Sequence, residues 1–251
     1  MESNNAENIT QQENTADTYL DDLGVNWETL KGKKVLDLGA GLARFTQAAK
    51  RRGVNVISID RHPEWHSDEG TPPKDVPYAI ADGLYLPFLD NSFDVILSRA
   101  AVHSMIEIQE DMEQLINEAK RVLREGGEFR FGPGAVGVRP IRENEWDKWF
   151  ELVDKVRNKK EITPEEDAWG EKVYPRIEQE EKEEEELKHL PPEQRARRAQ
   201  RLFLVQLQSI DPLISMHEGN KNRDYYGDVY FVLKKPPAIT NRNNSSKPVM
   251  G

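Results

Sequence analysis

The chain has 251 residues, with 45 acidic against 35 basic side chains and a formal net charge of −10. That balance repels phosphate backbones and anionic lipid surfaces. The absence of cysteine excludes disulfides, thiolate metal ligands and a cysteine nucleophile, and no apolar run approaches the roughly 20 residues of a membrane span.

The expectations set by composition are a cytoplasmic protein with no nucleic-acid partner and no membrane span. Residues 1–16 are polar, without apolar periodicity, and 236–251 are similar; both read as disordered tails. Between them, a core over 17–133 alternates short apolar runs with helix-period segments. Lys34 to Leu38 reads as a strand, Leu42 to Arg52 as a helix ended by Gly53, and Val54 to Ile59 as a second strand. Tyr78 to Ala81, Phe93 to Ser98 and Glu128 to Phe131 continue the series, with Gly126-Gly127 as a helix stop before the last. Ile108, Met112, Leu115, Ile116, Ala119, Val122 and Leu123 recur at 3.6 spacing, which predicts a helix. Strands alternating with helices imply an α/β fold, a mostly parallel sheet covered on both faces.

Residues 134–210 read as a charged helical insertion. Trp146, Trp149, Phe150, Val153 and Val156 form one stripe, and Thr163-Pro164-Glu165-Glu166 carries a capping box with proline at the first helical position. An acidic run, Glu178 to Glu186, precedes Leu190-Pro191-Pro192 and a helix from Glu193 to about Gln208. Over 211–235, Leu213 to His217 and Val229 to Leu233, joined by a polar turn with Asn220 and Gly227, predict a closing antiparallel hairpin at the sheet edge.

The turn Asp37-Leu38-Gly39-Ala40-Gly41-Leu42-Ala43 lies between the first strand and helix, and Asp60 follows 21 positions after Gly39. A glycine turn with an acid about 20 residues on is the general nucleotide-binding arrangement, the acid accepting both ribose hydroxyls. This alone admits NAD or S-adenosylmethionine. A dinucleotide turn needs a third small residue where this chain has Arg44; Ala43 is the small residue instead. The carboxylate of Asp37 would oppose a pyrophosphate but suits a ligand bearing an ammonium and a sulfonium. The spacing and charge therefore favour S-adenosylmethionine.

In order, VLDLGAGLARF, VISID, ADGLYLPF, NSFDVILS and RVLREGGEF over about 33–133 resemble the class I S-adenosylmethionine-dependent methyltransferases, particularly the group related to ubiquinone and menaquinone biosynthesis enzymes. The resemblance implies a seven-stranded Rossmann-like sheet with a terminal antiparallel hairpin. It assigns Asp37, Gly39 and Gly41 to the methionine end of the cofactor, Asp60 to the ribose and Asp82 to the adenine amino group. Leu84 would lie near the adenine ring, and Ser98 would begin the segment beside the transferable methyl. Ala43 stands where the family usually has glycine.

Methyl transfer to an activated carbon needs alignment and desolvation, with a base useful where the acceptor must lose a proton. His103 is the catalytic candidate; its alternative is a helix-start or surface histidine. Arg99 is expected to pair with a neighbouring Glu, the alternative being an anionic substrate. Tyr19 and Trp27 either close over the cofactor or pack an N-terminal helix, and Trp146, Trp149, Phe150 and Trp169 either line an apolar lid or dock helices on the sheet. His62, His66 and His217 lack supporting ligands, so no metal is expected. Arg195, Arg197, Arg198 and Arg201 spread over more than one helix face, with glutamates preceding them, as on a solvated helix. The expected function is methyl transfer to a small-molecule O, N or C acceptor; the alternatives are an NAD(P)-dependent reductase or epimerase, and a non-catalytic binding protein on the same fold.

Overall fold

The computed structural model describes residues 13–64, 70–132, 142–218 and 229–237. Within them the chain forms α1 (13–22), α2 (Trp27–Leu30), β1 (Lys34–Leu38), α3 (Arg44–Arg51), β2 (Asn55–Asp60), β3 (Tyr78–Ile80) and β4 (Phe93–Arg99). There follow α4 (Val102–Met105), α5 (Gln109–Val122), β5 (Leu123–Gly132), α6 (Trp146–Arg157), α7 (Pro164–Lys188), α8 (Pro192–Ile210), β6 (Ile214–Glu218) and β7 (Val229–Lys234). The seven strands form one sheet in the order β3-β2-β1-β4-β5-β7-β6. β1 to β5 are mutually parallel, and β7 runs antiparallel between β5 and β6. The sheet is therefore the Rossmann-like, mostly parallel arrangement expected, and only β6 of the closing pair lies at the edge. The turn containing Asn220 and Gly227 lies outside the described residues, as do most of both terminal tails.

Side-chain alternation along β1 assigns the two faces. Leu36 and Leu38 join the cluster of α5 and α8 with Met112, Leu115, Phe203 and Leu207. Val35 joins the opposite cluster, with Ala16 and Leu20 of α1 and Phe45 and Ala48 of α3. Helix α1 begins no later than residue 13 and Ala16 is buried, so the boundary read at 16/17 falls inside this helix. β5 is paired from Leu123, with Gly126 donating its N–H to Lys235 at 2.9 Å, so the Gly126-Gly127 pair sits within the strand rather than before it.

The insertion divides into two parts with different attachments. α8 belongs to the core: Phe203 meets Phe231 edge-on at 5.1 Å. α6 and α7 make their own small cluster, in which Trp146, Trp149 and Trp169 pack against Val173 and Ile177. Those tryptophans staple two helices together; they do not dock on the sheet. Thr163 caps α7 as its sequence indicates, accepting from Glu166 N–H while Glu166 returns to Thr163 N–H. Two arginine forks tie this unit to α5: Arg176 to Glu110 at 2.7 and 3.2 Å, and Arg142 to Asp111 at 2.6 and 3.0 Å.

The Arg176 fork holds the Glu110 carboxyl down to about 2, against the smaller opposing effect of burial. A depressed carboxylate contributes stability that is present above its unfolded pKa and lost as pH falls towards the folded value. Because Glu110 is more than a third exposed, solvent screening limits the pair to about 1 kcal/mol. Glu110→Gln should therefore lower stability by about that much at pH 7 in denaturant melts, and the gap should close between pH 4.5 and 2. A gap that persists unchanged at low pH would show that the fork does not act through charge.

Candidate active site

The sheet order reverses between β1 and β4, and open α/β sheets bind ligands outside the carboxyl ends of strands at such a point. Here a cleft of about 500 Å³ lies there, lined by the β1 turn Leu38 to Leu42, by Asp60 to His62, by Ala81 to Gly83, and by Arg99 to Ala101 and His103 to Met105. Thr15 and Tyr19 of α1 close its near side.

Gly39 and Ala40 N–H both donate to Ile59 O, at 2.9 and 3.0 Å, which binds the turn to the end of β2. Gly39 takes φ +75°. Ala43 also sits in the left-handed region, at φ 55°, and is buried at the start of α3. That conformation costs an L-residue about 1 kcal/mol and is the physical reason a glycine suits this position.

Asp60 occupies the rim with both oxygens oriented by backbone donors. Oδ2 accepts from Gly41 N–H and Oδ1 from His62 N–H, each at 2.8 Å. One N–H per oxygen leaves acceptor capacity on each, the chemistry a ribose diol requires. Asp82 accepts from Leu84 N–H at 2.9 Å and pairs with Arg61 at 3.3 Å. Arg61 is a cleft residue that the sequence reading did not single out; its position directly after Asp60 was the available signal.

Of the residues assigned by sequence, Gly39, Gly41, Asp60, Asp82 and His103 line the cleft, and Asp37, Leu84 and Ser98 do not. Leu84 is buried in the α5-side core. Ser98 is buried on β4, its hydroxyl without a hydrogen-bond partner among the described residues. Asp37 lies behind the cleft, on the α1 and α3 face of β1. His103 is exposed on the short helix α4 at the mouth. Arg99 pairs with the fully buried Asp22 of α1 at 2.6 Å rather than with a nearby Glu. Tyr19 both lines the cleft and stacks on Phe45 at 4.4 Å, whereas Trp27, which is not in the cleft wall, stacks on Phe45 at 5.5 Å and donates to Asp17.

Among the described residues no group of three potential ligands could hold a metal ion, and no helix is long and apolar enough to cross a membrane. His66 lies outside the described residues.

Residues 36–131 match the family model described as a methyltransferase domain. This stretch is similar to methyltransferase domains. The matched stretch holds most of β1, all of β2 to β4, β5 up to Phe131, and all of the cleft except its α1 wall. The chain is 30% identical over 119 residues to the malonyl-[acyl-carrier protein] O-methyltransferase of Hamiltonella defensa, covering 47% of this chain and 45% of that protein. It is 30% identical over 109 residues to the demethylmenaquinone methyltransferase of Corynebacterium urealyticum, covering 43% and 45%. Its matches thus span about half the length of these curated relatives. Among solved structures, an S-adenosylmethionine-dependent methyltransferase from Mesorhizobium loti is 26% identical, with a TM-score of 0.34 and coverage of 44% of this chain and 49% of that one.

Proposed function

We propose that this chain transfers a methyl group from S-adenosylmethionine to a small-molecule acceptor in the cytoplasm. One observation carries the reading: within the stretch similar to methyltransferase domains, the Gly39 to Gly41 turn, Asp60 and Asp82 converge on one cleft of a size suited to a small ligand. The residues present fit the cofactor: Asp60 would hold the ribose hydroxyls, Asp82 the adenine edge, and the β1 turn the methionine end. The bound cofactor would supply an electrophilic methyl on a sulfonium. The protein contributes binding, orientation and exclusion of water, with α1 covering one side of the cleft and α4 another.

Arg44, at the first turn of α3 and in the cleft wall, disfavours a dinucleotide where close helix approach is required. His103 is the candidate base, because it is a titratable cleft side chain on the segment after β4 and can take a proton from a hydroxyl or acidic carbon acceptor. The small-molecule assignment rests on the chain's net negative charge and on Arg198 of α8 being paired with Glu186 at 3.2 Å.

Purified protein incubated with methyl-labelled S-adenosylmethionine and a metabolite extract should yield a labelled small molecule. Binding of NAD(H) without binding of S-adenosylmethionine would overturn the assignment. Cofactor binding with no transfer to any acceptor would favour a non-catalytic protein on the same fold. His103→Ala should slow transfer by about 100-fold or more while leaving the cofactor dissociation constant nearly unchanged. Full activity in that variant would return His103 to a surface role.

A further inference from the structure

Behind the cleft lies a carboxylate that reaches it only through another side chain. Asp37 is 1% exposed and absent from the cleft wall. Tyr19, which does line the wall, donates its hydroxyl to Asp37 Oδ1 at 2.6 Å. The other oxygen, Oδ2, faces the hydroxyls of Thr46 and Ser58 at 3.4 and 3.5 Å, and those two hydroxyls are hydrogen-bonded to each other.

We propose that Tyr19 is a positioning residue through which the buried Asp37 acts on the ammonium end of S-adenosylmethionine, so that cofactor capture expels a proton from Asp37. The proposal rests on reading the cleft as an S-adenosylmethionine site. A phenol that donates to a carboxylate becomes a better acceptor at its own oxygen, so the Tyr19 hydroxyl passes the charge of Asp37 to the cleft. A cation held beside Tyr19 favours the ionised form of Asp37; the carboxyl O–H bond breaks and its proton leaves to solvent.

The surroundings poise Asp37 for this. Burial pushes its carboxyl up to about 7, Asp60 of β2 adds to the rise, and the hydroxyls of Tyr19, Thr46 and Ser58 oppose it. Burial and the Asp37 carboxylate push the Tyr19 phenol well above its ordinary range, which keeps it the donor; Arg99 at the end of β4 pulls weakly the other way. Tyr78 of β3 is also raised, by burial and by Asp60 and Asp37, and stays protonated. Below pH 7 the proton must be removed before the charge is available, so binding weakens as pH falls and levels off above about 7.

Calorimetric titration with S-adenosylmethionine, in buffers of differing ionisation enthalpy, tests this. Binding should be about tenfold tighter at pH 8 than at pH 6, with about half a proton released at pH 7. Asp37→Asn should abolish both effects. Tyr19→Phe keeps the ring stacked on Phe45 but removes the donor, so binding should weaken and the midpoint of the pH profile should move upward. A packing role alone would leave that midpoint in place and sink the relay. Affinity independent of pH in the native protein would overturn the proposal. So would a pH dependence that survives Asp37→Asn, which would place it on the cleft histidines His62 and His103. Absence of S-adenosylmethionine binding at every pH would instead overturn the reading of the site itself, and the relay with it.

Discussion

Gly39→Ala should lower the thermal midpoint by about 6–12 °C, corresponding to about 3 kcal/mol, and impair cofactor binding along with it. Two independent costs meet at this position. The residue has φ +75°, and a Cβ added there would stand 2.3 Å from Ala101 Cβ and 2.8 Å from Met105 Cε. The Ala101 methyl sits on the segment between β4 and α4, so relief requires the β1 turn or that segment to move, and both are cleft walls. Gly53→Ala provides the control. Its φ is +69°, and nothing lies within 4 Å of the added Cβ, so it should cost only the conformational part, about 1 kcal/mol. Differential scanning calorimetry of the two variants separates the collision from the backbone strain. Equal losses in both would mean that the β1 turn yields freely.

Asp60→Ala is expected to weaken S-adenosylmethionine binding about 100-fold by isothermal titration, from the loss of two charge-assisted hydrogen bonds at about 1.5 kcal/mol each. The carboxylate also holds the turn, through Gly41 N–H at 2.8 Å, so truncation leaves that donor without its acceptor. Asp60→Asn retains one acceptor oxygen and should fall between the two. An affinity for Asp60→Ala within about twofold of the native value would remove Asp60 from the cofactor site.

Much of the core was legible because β1, β2 and β4 are short, largely apolar runs set off by turn residues. Lys34–Leu38 is read identically from sequence and structure, and the capping box at Thr163 appears as its residue pattern dictates. Legibility fell where a side chain's neighbours come from distant segments. Arg99 meets Asp22, 77 residues upstream, and nothing local in either segment announces that pair. The tryptophans of α6 and α7 showed a clear stripe, but a stripe says only that a face is buried, not which face covers it.

The sequence by itself determined the kind of cleft this protein has. The Gly39 and Gly41 turn, Asp60 and Asp82 are separated by loops and strands whose lengths are local properties, and a parallel sheet brings the carboxyl ends of its strands together whatever the details of packing. Only the tertiary structure decided which carboxylates face the cleft. Asp37 shares the face of Val35 because strand side chains alternate, and α1 and α3 cover that face. Its access to the cleft is through Tyr19, a contact made only when α1 folds back across the sheet.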